Sequence, residues 1–150
     1  MPEPRKVAPV TAQEPPSLMY NARMTKAPKH QIQVEVESTF LEEQSAPEEE
    51  RFVFGYTITI SNRGSVPAKL LNRHWVITDA NGKVEEVRGK GVVGDQPHLQ
   101  PGQQYQYSSG AILETPVGAM EGDYEMVDDQ GEHFLTPIPV FSLQTPNTIN

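Results

Sequence analysis

Gly89-Lys90-Gly91-Val92-Val93-Gly94-Asp95-Gln96-Pro97-His98-Leu99-Gln100-Pro101-Gly102 is the stretch whose reading decides the fold. Its glycines at 89, 91 and 94 have the Gly-x-Gly-x-x-Gly spacing of a dinucleotide-binding fingerprint. In that fingerprint a strand feeds the loop, and a helix N-terminus behind the loop faces the pyrophosphate. Here Asp95-Gln96-Pro97 follows the last glycine and Pro101-Gly102 comes next. No helix can open there, so the fingerprint fails. A P-loop fails as well, because no Gly-Lys-Ser/Thr closes the run. What remains is a glycine loop between strands.

The chain on both sides reads as β-structure. Towards the N-terminus, Lys83 to Arg88 is a short strand, joined through Asn81-Gly82 to a strand carrying Leu71, Trp75 and Ile77 on one face with Arg73 between them. Asn-Gly between apolar runs is the strongest short hairpin signal. Earlier still, Phe52, Phe54, Tyr56, Ile58 and Ile60 share one face of a run rich in aromatic and β-branched residues, as a central strand should. Ile32, Val34 and Val36 alternate with polar residues from Gln31 onward. Between these two strands lies EEQSAPEEE, residues 42–50, a solvated loop whose glutamates lack the spacing of a calcium loop.

Towards the C-terminus, Gln104–Leu113 places Tyr105, Tyr107, Ala111 and Leu113 on one face. Thr115-Pro116-Val117-Gly118 reads as a loop, Asp123–Val127 as a short strand, and His133–Leu143 as the last strand. Pro137 and Pro139 in that last strand cannot donate ladder hydrogen bonds, which implies an edge strand or a bulge. No amphipathic helix is found after residue 30. Seven strands with short turns argue an all-β, two-sheet sandwich of immunoglobulin or fibronectin type III kind. Leu99-Gln100-Pro101-Gly102-Gln103-Gln104-Tyr105 resembles the Leu-x-Pro-Gly-x-x-Tyr pattern at the entry to the sixth fibronectin strand. The expected structural corner is Leu99, Pro101 and Tyr105, with the Tyr105 hydroxyl bonded back to loop backbone.

Composition narrows the partners. The formal net charge is −8. Residues 1–30 carry +3 of it and the remainder −11. So acidic a domain repels nucleic-acid backbones and anionic membranes, and neither is expected as a partner. There is no cysteine, hence no disulfide, thiolate metal site or Cys nucleophile. No run of about 18 apolar residues and no hydrophobic signal core are found, so a cytoplasmic protein is expected. Residues 1–28 hold six prolines and few apolar residues, and are expected to be a disordered, proline-rich, basic tail before a single domain at 29–148.

Candidate chemistry is sparse. Gly89, Lys90, Gly91 and Gly94 are the candidate phosphate- or nucleotide-binding residues, through an anion-binding backbone nest with Arg88, Lys90 and His98 as nearby charges. The same glycines equally serve a chain crossing between sheets with positive φ. His98 and Asp95 with a distant His133 are a conceivable divalent-metal set. Ser108-Ser109-Gly110 lacks the Gly-x-Ser-x-Gly elbow of a nucleophilic serine. No acid–base or nucleophile constellation emerges, and nothing calls for a cofactor.

Several runs together resemble the bacterial ApaG family. These are Phe52–Ile60, Val66-Pro67, Leu70–Trp75, Gly89–Pro97, Tyr105-x-Tyr107-x-Ser109-Gly110, Glu114–Met126 and Pro139-Val140-Phe141, all in the family's order over about residues 30–148. The resemblance implies a fibronectin type III-like sandwich and little about activity; a non-enzymatic binding role is expected, with a small-anion sensor, and after it an enzyme acting on a phosphate compound, as alternatives. It implies an indirect link to cobalt and magnesium efflux, because the chain itself shows no membrane span. Similar domains in larger proteins imply a protein-interaction module with an unidentified protein partner. The resemblance also implies a pyrophosphate or nucleotide site, carried onto Gly89, Gly91 and Gly94, with Mg²⁺ as a conceivable companion.

Overall fold

A computed structural model describes residues 5–6, 10–11 and 27–146. Its strands are β1 (Arg5–Lys6), β2 (Val10–Thr11), β3 (Ile32–Phe40), β4 (Phe52–Asn62), β5 (Ala68–Asp79), β6 (Val84–Lys90), β7 (His98–Leu99), β8 (Gln103–Leu113), β9 (Val117–Asp128) and β10 (His133–Gln144). Two antiparallel sheets face each other. One runs β3-β4-β8, with β1 and β2 on the far side of β8; the other runs β10-β9-β5-β6, with β7 added to β5. The long strands thus divide as first, second and fifth against third, fourth, sixth and seventh, which is the fibronectin type III variant of the sandwich: the fourth strand lies beside the third, not beside the fifth as in constant immunoglobulin domains. The expectation for residues 1–28 lies mostly outside the described residues. Within it, β1 and β2 pair antiparallel with β8.

The sequence periodicity explains the core. Phe54, Tyr56, Ile58 and Ile60 of β4 meet Tyr105, Tyr107 and Ala111 of β8, and behind them Trp75, Met120 and Tyr124 of the other sheet, all buried. Trp75 and Phe141 stand edge-on at 83°. Each fully buried large apolar side chain contributes about 1.5–3 kcal/mol of transfer free energy. The β5–β6 and β9–β10 hairpins use one turn chemistry. Asp79 Oδ1 accepts the N–H groups of Asn81 and Lys83, and Asp128 Oδ1 those of Gln130 and Glu132. The glutamates of residues 42–50 are exposed, as expected, and Ser45 anchors that loop by accepting the Val53 N–H at 2.9 Å.

Four expectations are corrected. First, Leu70, not Leu71, enters the core with 1% exposure, because the β5–β9 register shifts between Leu70 and Asn72 and reverses which residues face inward. Second, β9 starts at Val117, not Asp123, so the supposed loop at 117–118 is strand. Gly118 and Gly122 hide this start from a hydrophobic count. Third, the Leu99–Tyr105 corner enters β8, the fifth long strand, which pairs with β4, rather than the sixth. Fourth, the Tyr105 hydroxyl donates to a side chain, Asp95 Oδ2 at 2.6 Å, instead of to backbone. The turn before β8 is instead held by Asn62: Leu99 is buried, its carbonyl accepts the Asn62 side-chain amide, and Gly102 N–H donates to the Asn62 carbonyl. The prolines of β10 read correctly, since β10 is an edge strand with a register shift between Ile138 and Phe141.

The Tyr105 bond gives a direct test. Tyr105→Phe is expected to lower stability by about 1–2 kcal/mol, by stripping one donor from a carboxylate beside a buried ring. An unchanged denaturant midpoint would refute the role assigned to this hydroxyl.

Candidate functional site

The glycine run sits where β6 leaves its sheet. Gly89 lies inside β6 opposite Arg73, and a side chain there would meet the Arg73 guanidinium at 2.7 Å. Arg73 Nη1 donates to the carbonyls of Lys90 at 3.1 Å and Gly91 at 2.9 Å. Gly91 has φ +62° and no room for a Cβ beside the Asp95 carbonyl. Val92 and Asp95 exchange backbone hydrogen bonds at 2.8 Å, and the Gly91 N–H donates to the Leu71 carbonyl. Three loop amides are therefore committed to the chain's own carbonyls. The cation here holds carbonyls, and the glycines serve a tight reversal under an arginine.

Beside this loop, a cleft of about 520 Å³ opens between the β6 edge of one sheet and the outer half of β8 in the other. Trp75 and Met120 line its depth, Tyr56, Tyr107 and Arg73 supply polar groups, and Val93 and Gly94 form a lip. Tyr107 and Tyr124 share a buried hydroxyl–hydroxyl hydrogen bond of 2.6 Å, and Tyr56 bonds Ser109. Burial pushes all three phenols above their ordinary pKa, outweighing the opposing pull of Arg73 on each. They are neutral hydroxyls at physiological pH. The cleft thus combines an apolar depth, hydroxyl groups and one guanidinium, which suits a carbonyl or carboxylate carried on an apolar segment. Arg73 and Lys90 also line a second, outward cavity of about 490 Å³, bounded by His74, Asp123, Glu125 and Leu135.

The remaining candidates are scattered. Arg88 pairs with Glu86 at 3.5 Å. His98 bonds Asp129 at 2.8 Å, His133 bonds Glu125 at 3.0 Å, and Asp95 takes the Tyr105 hydroxyl, so the conceived metal set is not assembled. Instead His30, Asp128 and Glu132 converge, with potential ligand atoms within 4.8 Å of one another. Lys29 already supplies the cation there, bonded to Glu132 and 3.6 Å from Asp128. The bond from His30, assisted by the turn amides and Lys29, lowers the Asp128 carboxyl pKa to about 2. This cluster straps the entry to β3 onto the β9–β10 turn. His30 also stacks on Phe134, with centroids 3.9 Å apart.

Sequence reasoning missed the cleft. Its one available signal was Arg73, a cation at an inward position of an apolar alternation.

The family model described as ApaG domain matches residues 42–128. A protein ApaG from Cronobacter sakazakii is 59% identical over 117 residues, covering 78% of this chain and 94% of the relative. Another from Aromatoleum aromaticum is 53% identical over 127 residues, covering 85% of this chain and 100% of the relative. A crystal structure of an ApaA protein from Bordetella pertussis superposes with TM-score 0.79 at 45% identity, covering 83% of this chain and 100% of that one.

Proposed function

The chain belongs to the ApaG family, and from that premise we propose that its domain is a non-enzymatic binding module that takes another protein at the cleft between β6 and β8. The observation that carries this reading is the cleft itself. Its volume is in the range of specific pockets, and its depth is apolar in an otherwise acidic, polar-faced sandwich. Any tie to cobalt or magnesium efflux would run through that partner.

A photo-crosslinking residue placed at Glu85, on the cleft rim, tests the proposal in cells; Glu35, on the exposed face of β3, is the control position. The expected result is one discrete protein adduct from Glu85 and none from Glu35. The adduct should disappear on Val87→Lys, provided the melting midpoint shows the variant folded. Equal adducts from both positions, or an adduct indifferent to Val87→Lys, would overturn the reading.

A second reading has one observation in its favour. Arg73 and Lys90 line the cleft with Gly94, and Arg73 also bonds the Gly91 carbonyl, which places two cations at the glycine loop and suits pyrophosphate or a nucleotide. Amide NMR titration with pyrophosphate and ATP, with and without Mg²⁺ or Co²⁺, should then shift the signals of residues 89–94 at submillimolar ligand. Silence into the millimolar range sinks it.

A further inference from the structure

We propose that the outer half of β8, Ser109–Leu113, receives an extended segment of the partner protein as an added β-strand. This names the mode of recognition for the protein-binding reading above and rests on it.

The observation is a coincidence of two features on one strand. β8 spans Gln103–Leu113. One of its edges pairs with β4 from Gln104 through Leu113. The other is used only in part: β2 pairs with Gln103 and Gln104, and β1 with Tyr107 and Ser108. Past Ser108, no strand among the described residues pairs with that edge. In an antiparallel strand, alternate residues turn both N–H and C=O to each side, so this stretch offers ladder groups outward. The same stretch is a wall of the cleft, since Ser109, Gly110, Ala111 and Ile112 all line it. Open backbone and an apolar depth therefore meet at one place, as strand addition requires: main-chain bonds for affinity and a pocket for alternate side chains.

The topology points the same way. In seven-stranded immunoglobulin domains the fifth strand carries a further strand, the fourth in chain order, on its outer edge. Here the fourth long strand, β6, pairs with β5 in the opposite sheet, and the short β7 also joins β5. The outer edge of β8 thus has no such neighbour from the chain between β4 and β8. The chain's own β1 and β2 show that this edge accepts an antiparallel segment.

The chemistry of the incoming segment follows from the wall opposite. One large apolar side chain enters over Trp75 and Met120, and a carboxylate on the same segment lies within the field of Arg73 and Lys90. Alternation of strand side chains puts these on a segment of apolar-polar-apolar pattern.

The test pans a displayed library of random-sequence peptides against the full chain and resynthesises the enriched peptide. Binding is then followed by the emission of Trp75, the single tryptophan. A series with one N-methyl group at each backbone nitrogen in turn is expected to lose about tenfold in affinity at every second position and little between, since each lost ladder bond costs about 1.4 kcal/mol. Amide hydrogen exchange at Ser109–Leu113 should slow in the complex. A peptide that changes Trp75 emission, yet shows no period of two and no slowed exchange there, overturns strand addition and leaves the cleft as a protein-binding site. Absence of any enriched peptide that perturbs Trp75 sinks both.

Discussion

Between pH 10 and 12 the folded domain is expected to lose about 3 kcal/mol of stability or more per pH unit. The cause is the buried pair of Tyr107 and Tyr124, whose hydroxyls share a 2.6 Å hydrogen bond between the sheets. Burial raises the pKa of both phenols above the ordinary value near 10. In the unfolded chain they release protons from about pH 10 upward, while the folded chain keeps them. The folded state therefore binds more protons in this range, and stability falls as pH rises. Each such group contributes up to about 1.4 kcal/mol per pH unit, so this pair accounts for most of the stated slope, and Tyr56 and Tyr105, which are raised as well, steepen it. Below pH 10 the same pair confers no pH dependence. Urea unfolding at a series of alkaline pH values measures the slope, and Tyr124→Phe should make it shallower by about 1 kcal/mol per pH unit. A midpoint constant through pH 11 would show that these phenols ionise freely in the native state.

Gly122→Ala is expected to cost about 3 kcal/mol or more and to lower the melting midpoint by about 10 °C. Gly122 sits opposite Trp75 in the β5–β9 ladder, and a Cβ there would fall inside the His74 carbonyl group and against the Trp75 Cα. Those neighbours are backbone atoms of a paired strand, so relief requires moving two strands apart. Gly94→Ala separates this from mere backbone strain. Gly94 has φ +86° but nothing within 4 Å of its missing Cβ. It should cost only about 1–2 kcal/mol, the penalty of a left-handed residue. Equal losses at the two sites would refute the steric argument.

Gly122 also shows where sequence reasoning ended. β3, β4 and β8 were legible because each buries one face and alternates cleanly. The β5–β6 hairpin was legible from Asn81-Gly82, and the edge position of β10 from Pro137 and Pro139. The first half of β9 was not, because Gly118 and Gly122 replace side chains that would have marked the alternation. The register shift at Leu70–Asn72 was invisible too, since a bulge changes facing without changing composition. Most of the candidate site lay in pairings between distant strands. Period two tells which residues share a face but not which strand stands opposite. The approach of Arg73 to Gly89, and of Tyr105 to Asp95, could not be read from spacing alone. The glycine triplet drew attention to the right neighbourhood, since Val92, Val93 and Gly94 line the cleft, while the rest of it comes mostly from β5, β6 and β8.

The pairing of β4 with β8 has a consequence for biosynthesis. Thr57 and Ser108, hydrogen-bonded at 2.7 Å across that pair, lie 51 residues apart in the chain. At about 5–20 residues per second, the ribosome delivers β8 roughly 3–10 s after β4. Throughout that interval the most apolar strand of the protein has only β3 to pair with, and its Phe-rich inner face lies open. The nascent chain is therefore a substrate for chaperones that hold exposed apolar segments, until release of the fifth long strand allows the two sheets to close.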